Sequence, residues 1–223
     1  MFIEFSYPIN SKSQNIFLGI KDIEIIPRSR IMYGSKNNTS FIKLFSHLGT
    51  HIDVPWHFNE KGYKIMDFSI EEFNFSKVQL INISKNLKKL VGIKEFKKYE
   101  KELSLSDCLL IYTGFSRYRN LDKKYYFQNT PGISLDAAKY LATFKNLHCI
   151  GVDFISIENI IKGRRINFPV HNILLKRLPP IILLEDANIF PLVNKDIFRI
   201  YLFPLRIENL EASPVTAVAE IVK

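Results

Sequence analysis

Nine short runs rich in Ile, Val, Phe and Leu, each bounded by Asn, Asp, Ser, Gly or Pro, limit what this chain can fold into. They are Met1–Pro8, Ile23–Ile26, Ser40–Phe45, Val78–Ile83, Cys108–Thr113, His148–Asp153, Ile181–Glu185, Ile197–Leu205 and Val215–Val222. Runs of this length and composition suit strands, because branched and aromatic side chains pack well on a pleated surface. Only Lys94–Leu103, Leu135–Phe144 and Val170–Leu178 read as helices, and Ile157–Ile161 suits a single helical turn. Ser134, after the turn pair Pro131-Gly132, is an N-cap for the middle helix. Strands outnumber helices and do not alternate strictly with them. The pattern predicts a mixed α/β fold rather than a doubly wound parallel sheet. With no internal repeat, low-complexity tract or long linker, the 223 residues predict one domain spanning 1–223.

Several function classes drop out on composition. No apolar stretch reaches the roughly 18 residues a membrane-spanning helix needs. The start, Met1-Phe-Ile-Glu-Phe-Ser, has no basic region leading into an apolar run, so it does not read as a secretory signal. Cys108 and Cys149 both sit in apolar runs, which predicts reduced, packed thiols and a cytoplasmic protein. The net charge of +9 raises the question of nucleic acid. Much of the excess lies between Lys85 and Lys101, where lysines interleave with Leu87, Leu90, Ile93 and Phe96 and share the stretch with Glu95 and Glu100. That is the pattern of a solvated amphipathic helical face. No nucleic-acid-binding signature accompanies it, so the expected partner is a small molecule.

The chemistry concentrates in the segment from Leu44 to Phe58, which contains His47-Leu-Gly-Thr-His51-Ile-Asp53-Val-Pro-Trp-His57. On a helix, at roughly 100° per residue, Asp53 and His57 fall more than about 80° away from His47 and His51. Gly49, three β-branched residues and Pro55 also oppose a helix. In an extended chain His47, His51, Asp53 and His57 share one face, and Leu48, Thr50, Ile52, Val54, Trp56 and Phe58 share the other. Three of the chain's five histidines thus fall in phase with an aspartate. Two imidazoles and a carboxylate leave an open position on Zn²⁺, as catalytic sites do, and no cysteine lies nearby. The bland alternative is a hydrogen-bonded histidine cluster.

Two downstream residues are further candidates. His171 opens an apolar helical stretch, and its alternative is a helix-start residue facing solvent. Glu185 ends the run Pro180-Ile-Ile-Leu-Leu-Glu. A buried acid there is costly unless it is paired or binds a cation, and a salt-bridged strand end is the alternative. His148 has no candidate ligand beside it and reads as structural.

At these residues the chain resembles the cyclase family of metal-dependent hydrolases, of which bacterial kynurenine formamidase and isatin hydrolase are members. The family pattern His-x-Gly-Thr-His-x-Asp-x-Pro-x-His-Phe is matched at every fixed position from His47 to Phe58. Weaker likeness extends over Phe2–Ile9 (with Glu4 where Asp is common), Leu110–Gly114, Pro131–Ser134, Gly151–Asp153, Pro169–His171, Leu184-Glu185, Phe203–Ile207 and Ser213–Val215. The resemblance implies a mixed β/α swivelling domain with a small barrel-like sheet and flanking helices, commonly a homodimer. It also implies that His47, His51 and Asp53 hold one divalent metal, and that Asp53 bridges to a second held by His171 and Glu185. His57 would then be the general acid/base. Two departures stand out. Thr216 occupies a position where many relatives carry Arg, and the segment from Ile20 to Ser40 lacks a Trp-Pro-Gly-Asp-like stretch.

The expected activity is hydrolysis of a formamide, amide or lactam C–N bond by metal-activated water, as in an arylformamidase. Zn²⁺ is the expected metal and Mn²⁺ or Fe²⁺ the alternatives, with one or two ions per chain. Its rivals are a family member running a cyclisation, dehydration or isomerisation, a catalytically inactive metal-binding module, and a nucleic-acid binder using the positive charge.

Overall fold

Along Cys108–Tyr112, Cys108 and Leu110 face one core while Leu109 and Ile111 face another, and all four are buried. A strand covered on both faces lies in the middle of a layered sheet. The computed structural model describes residues 1–9, 23–84 and 90–222. In chain order its first strands are β1 (Phe2–Glu4), β2 (Glu24–Ser29), β3 (Thr39–Lys43), β4 (His51–Asp53), β5 (Asn74–Phe75), β6 (Val78–Asn82) and β7 (Leu90–Val91). Two short helices, α1 (Ile93–Lys97) and α2 (Glu100–Leu105), lead into β8 (Cys108–Tyr112). Then come α3 (Tyr118–Leu121), α4 (Lys123–Gln128), β9 (Gly132–Ile133), α5 (Leu135–Leu141) and β10 (Cys149–Val152). The chain ends with α6 (Ile160–Arg165), α7 (Pro169–Leu175), β11 (Ile182–Glu185), β12 (Ile197–Pro204) and β13 (Ala212–Ile221).

The main sheet runs β5-β12-β13-β4-β11-β10-β8-β6, with β1 also on β13. Strands β6, β8, β10 and β11 are mutually parallel, and the remaining pairings are antiparallel. Its two end strands, β5 and β6, are joined by residues 76–77 alone, and β12 also packs against β6, so the sheet curls nearly shut. Phe5, Ile52, Leu110, Leu184, Leu202 and Ala217 fill the inside. Outside, Leu109, Ile150 and Leu183 pack against Phe96, Leu103, Leu141 and Leu174 of the helices. This is the mixed α/β architecture with a barrel-like sheet and flanking helices that the sequence predicts.

Each of the nine predicted runs overlaps a strand. Three helices, α3, α4 and α6, are absent from the sequence reading; at four to six residues each they are too short to show a helical period. The predicted helix Lys94–Leu103 is two pieces, because Tyr99 leaves helical geometry at φ −114° and ψ 21°. Of the stretch Lys85–Lys101, residues 85–89 lie outside the described residues. The extended reading of Leu44–Phe58 also needs correction. Only His51–Asp53 is strand; Gly49 turns the chain at φ 65°, and Pro55–His57 is a 3-10 turn. Strand alternation therefore does not explain how the histidines meet. Among the described residues, no helix is long and apolar enough to cross a membrane.

Candidate metal centre

Strand β4 lies between β11 and β13, and its register does most of the assembly. Glu185 is the cross-strand partner of His51, and Ala212 the partner of Asp53. That pairing brings Glu185 beside the histidines and sets Glu211, one residue before β13, at the same place. The positive φ of Gly49 folds the chain back so that the ring of His47 stands 5.0 Å from that of His51. Glycine reaches this backbone region without the steric cost other residues meet. The 3-10 turn then brings His57 to 4.4 Å from His47, ring centre to ring centre.

His171 arrives from the other half of the chain. The residue before α7, Phe168, stands at φ 48° and has no side-chain cap of its own. Glu158 takes over that duty: its Oε2 accepts from the backbone N–H of Val170 (3.1 Å) and of His171 (3.3 Å). The same oxygen lies 3.1 Å from His171 Nδ1. One carboxylate thus satisfies the open start of a helix and orients the imidazole on it.

The four predicted ligand groups His47, His51, Asp53 and Glu185 and the fifth, His171, are all buried, none more than 8% exposed. The solvent-facing alternative for His171 is therefore excluded. Two triads form, His47/His51/Asp53 and Asp53/His171/Glu185, with donor atoms within 4.8 Å of one another in each. Asp53 belongs to both.

Each of the three candidate ligand imidazoles has one nitrogen tied to a fixed oxygen. His51 Nδ1 lies 2.8 Å from Gly49 O, His47 Nε2 lies 3.3 Å from Glu211 Oε1, and His171 Nδ1 is held by Glu158. The opposite nitrogens converge on Asp53 and Glu185, at 2.9 Å for His47 Nδ1 to Asp53 Oδ1, 3.5 Å for His51 Nε2 to the same oxygen, and 3.3 Å for His171 Nε2 to Glu185 Oε1. An outer oxygen that fixes one ring nitrogen leaves the other free to ligate, which is how histidine ligands are usually oriented. Two buried atoms at the centre, His51 Nε2 and Asp53 Oδ1, have no hydrogen bond of acceptable geometry. Burying such atoms without a partner is costly, and a cation between the triads would satisfy both. The donor set of imidazole nitrogens and carboxylate oxygens fits a divalent transition metal.

The electrostatics agree. Burial alone would lower the pKa of His47, but the Asp53 and Glu211 carboxylates outweigh it and raise it to about 10. His171 is raised to about 9 against its burial by Glu158 and Glu185. Asp53, despite burial, is held well below the usual carboxylate range by His47, His57 and His51. Without metal these histidines keep their protons at neutral pH, so cation binding has to release them. His57 behaves differently. Burial lowers its pKa, Asp53 opposes this, and the neighbouring His47 and His171 lower it further.

The cluster opens into a pocket of about 400 Å³ lined by Phe45, Phe58, Ile160 and Phe168 above the histidines and carboxylates. Phe58, expected on the face opposite His57, lines this pocket beside it, whereas Trp56 points away and carries the Lys64 ammonium 4.6 Å over its ring. Thr216 is exposed on β13, away from the pocket.

Sequence reasoning missed four residues that hold the site. Glu158 and Glu211 are the outer partners just described. Asp186, directly after Glu185, adopts φ 51° and is gripped by Arg119 through Nε (2.8 Å) and one terminal nitrogen (2.7 Å), and by the Tyr126 hydroxyl (2.8 Å). The Thr50 hydroxyl donates to the Asp186 carbonyl at 2.6 Å. The ion pair fixes the turn that follows one candidate ligand, and the Thr50 hydrogen bond ties that turn to the residue that precedes another. Asp153 does comparable work elsewhere, accepting from the Thr113 and Gly114 amides and from two hydroxyls. Cys108 and Cys149 are buried free thiols.

A family model described as a putative cyclase matches residues 3–159. An uncharacterized protein of Methanocaldococcus jannaschii is 31% identical over 183 residues, 81% of each chain. A kynurenine formamidase of Bacillus thuringiensis subsp. konkukian is 28% identical over 181 residues, covering 81% of this chain and 79% of its own. A crystal structure of an isatin hydrolase bound to the product analogue thioisatinate shares the fold with a TM-score of 0.82 at 20% identity, covering 99% of this chain and 92% of that one.

Proposed function

The chain belongs to the cyclase family, and from that premise we propose that it is a metal-dependent hydrolase of formamide, amide or lactam C–N bonds, an arylformamidase-like enzyme. One observation carries the reading: the orphaned His51 Nε2 and Asp53 Oδ1 meet where two His/carboxylate triads share a corner beneath an apolar pocket. The names of the relatives, kynurenine formamidase and isatin hydrolase, support the reaction class.

In this proposal His47, His51 and Asp53 hold one divalent ion, and Asp53, His171 and Glu185 hold a second where two are bound. Zn²⁺ is the first choice and Mn²⁺ the second. When bound, the ion supplies Lewis acidity toward a carbonyl oxygen and makes water acidic enough to attack near neutral pH. The protein's own groups do the rest. Glu211, Glu158 and the Gly49 carbonyl fix the imidazoles, the aromatic wall orients a flat substrate and excludes water, and His57 moves the proton from water to the leaving nitrogen.

The test is a panel of formanilides, aryl amides and lactams run with metal-loaded and chelator-stripped protein. Turnover of at least one member that disappears on stripping and returns with Zn²⁺ or Mn²⁺ is expected. Metal that raises the melting temperature while every member stays intact would leave only a binding module.

A homodimer belongs to the same proposal. Among the described residues the β2–β3 hairpin pairs only with itself, and Ile25, Ile26, Phe41 and Ile42 are exposed along it. A two-stranded hairpin is at best marginally stable alone, and an apolar one needs a surface to cover it. Sedimentation should give twice the 26.0 kDa chain mass, falling to the monomer in Phe41→Glu. A wild-type monomer at micromolar concentration would rule the dimer out.

A further inference from the structure

Strand pairing holds two of the candidate ligands from one side only. In the β4–β11 ladder Asp53 faces Leu183, Ile52 faces Leu184 and His51 faces Glu185, and there the ladder ends. The next residues along are Thr50 and Asp186, and side chains hold them together. The Thr50 hydroxyl donates to the Asp186 carbonyl at 2.6 Å and accepts from the Tyr7 amide at 3.0 Å. Asp186 turns out of the strand at φ 51°. Its amide donates to the Phe154 carbonyl at 2.9 Å, and the Ala187 amide donates to the Val152 carbonyl at 3.0 Å. The same loop holds the Glu185 side chain, whose Oε1 accepts from the Ile157 amide at 2.7 Å and the Ser156 hydroxyl at 3.0 Å.

A left-handed backbone is costly for a non-glycine residue and persists where surrounding contacts enforce it. Arg119 supplies the enforcing contact at Asp186. Its guanidinium grips both carboxylate oxygens and lies 3.9 Å over the centre of the Tyr7 ring. Tyr7 in turn donates to Thr50, so Arg119, Asp186, Thr50 and Tyr7 close a ring of contacts. That ring ties α3 to the end of β11, the start of β4 and the segment after β1. Thr50, Arg119 and Asp186 are each at most 2% exposed. Stability alone explains such a pair poorly, because burial strips hydration about as large as the attraction gained, and apolar side chains of like volume commonly serve as well. What apolar groups lack is direction. A planar fork of donors fixes the plane of the carboxylate, and with it the backbone that carries it.

We propose that Arg119 is a positioning residue for the metal centre, acting through Asp186 and Thr50 to set the Glu185 carboxylate against His51 and Asp53. Arg119 itself lies outside both triads and outside the pocket lining. The contact it governs joins the two triads, with Glu185 Oε2 standing 3.6 Å from His51 Nε2. Ligand groups have to be held within about 0.5 Å of their working positions, so a loosened turn at Asp186 weakens the site without removing any ligand. The inference rests on the metal-centre reading above and adds to it a residue remote from the ligands.

The experiment follows wild type, R119Q, R119K, T50V, T50S and L103A, using Zn²⁺ and Co²⁺ alone as probes. Zn²⁺ affinity comes from competition with a chromophoric chelator, coordination from the visible spectrum of the Co²⁺-loaded protein, and stability from melting of the metal-free protein. R119Q and T50V should each weaken Zn²⁺ by about 10- to 100-fold, the scale for groups that orient ligands, and should alter the Co²⁺ spectrum. R119K and T50S should recover part of both. Leu103, a buried core residue on α2 outside the pocket lining, is the control: L103A should lower the melting temperature and leave both metal readouts unchanged. Wild-type affinity and spectrum in R119Q would overturn the inference. Should R119Q fail to fold, the same result in T50V, which keeps the ion pair, would overturn it equally. Metal loss in L103A matching that in R119Q would reduce the effect to general destabilisation and also overturn it. Wild type that takes up neither ion would defeat the metal centre itself, and this inference with it.

Discussion

Replacing His57 with alanine is expected to lower kcat by about 10²- to 10⁴-fold, the usual share of a general acid/base, while the metal content stays that of wild type. The geometry separates this histidine from its neighbours. His47, His51 and His171 each have one nitrogen tethered and the other turned into a triad. His57 is outside both triads; its Nε2 stands 3.8 Å from Asp53 Oδ2, and its side chain remains 28% exposed to the pocket. It can therefore reach a substrate while the carboxylate behind it steadies the ring. The pH profile distinguishes this role from a structural one, because the limb of kcat/KM that reports a base should vanish in the variant. Wild-type turnover in His57→Ala, or loss of metal with it, would show that the residue has a different job.

The sequence made the site's ligands legible more readily than its geometry. Spacing and residue type single out His47, His51, Asp53 and His57, and these do converge. Their convergence depends on a left-handed glycine, one cross-strand register and a 3-10 turn, none of which strand alternation contains. His171 and Glu185 are visible as a helix-start histidine and a costly strand-end acid. That Glu185 meets His51 and Asp53 depends on β4 lying beside β11, a contact between segments more than 120 residues apart in the sequence. Glu158, Glu211 and the Arg119–Asp186 pair were hidden for a simpler reason. A lone acid in a loop, or an arginine in a four-residue helix, carries no pattern until tertiary structure buries it. The architecture was clearer, because burial on both faces of β8, β10 and β11 follows directly from runs of Ile, Leu and Val between turn residues.

Asp53 is the residue on which both triads depend, and its replacement is expected to have the largest effect on metal. It is 1% exposed, lies within 4 Å of three imidazoles and offers the orphaned Oδ1 at the shared corner. Loss of an outer partner alone costs about 10- to 100-fold in metal affinity. Loss of a ligand common to both groups should exceed about 100-fold. Asp53→Asn keeps the side chain's volume while removing its charge, so it separates lost coordination from a packing defect, and its melting curve shows whether the fold survives. The decisive measurement is elemental analysis of purified, chelator-free wild type beside Asp53→Ala and Asp53→Asn. The expected result is one to two equivalents of a divalent transition metal in wild type and almost none in either variant. Wild-type protein that stays metal-free when Zn²⁺ or Mn²⁺ is added would contradict the account, and the histidines would then be a hydrogen-bonded cluster in a fold without metal chemistry.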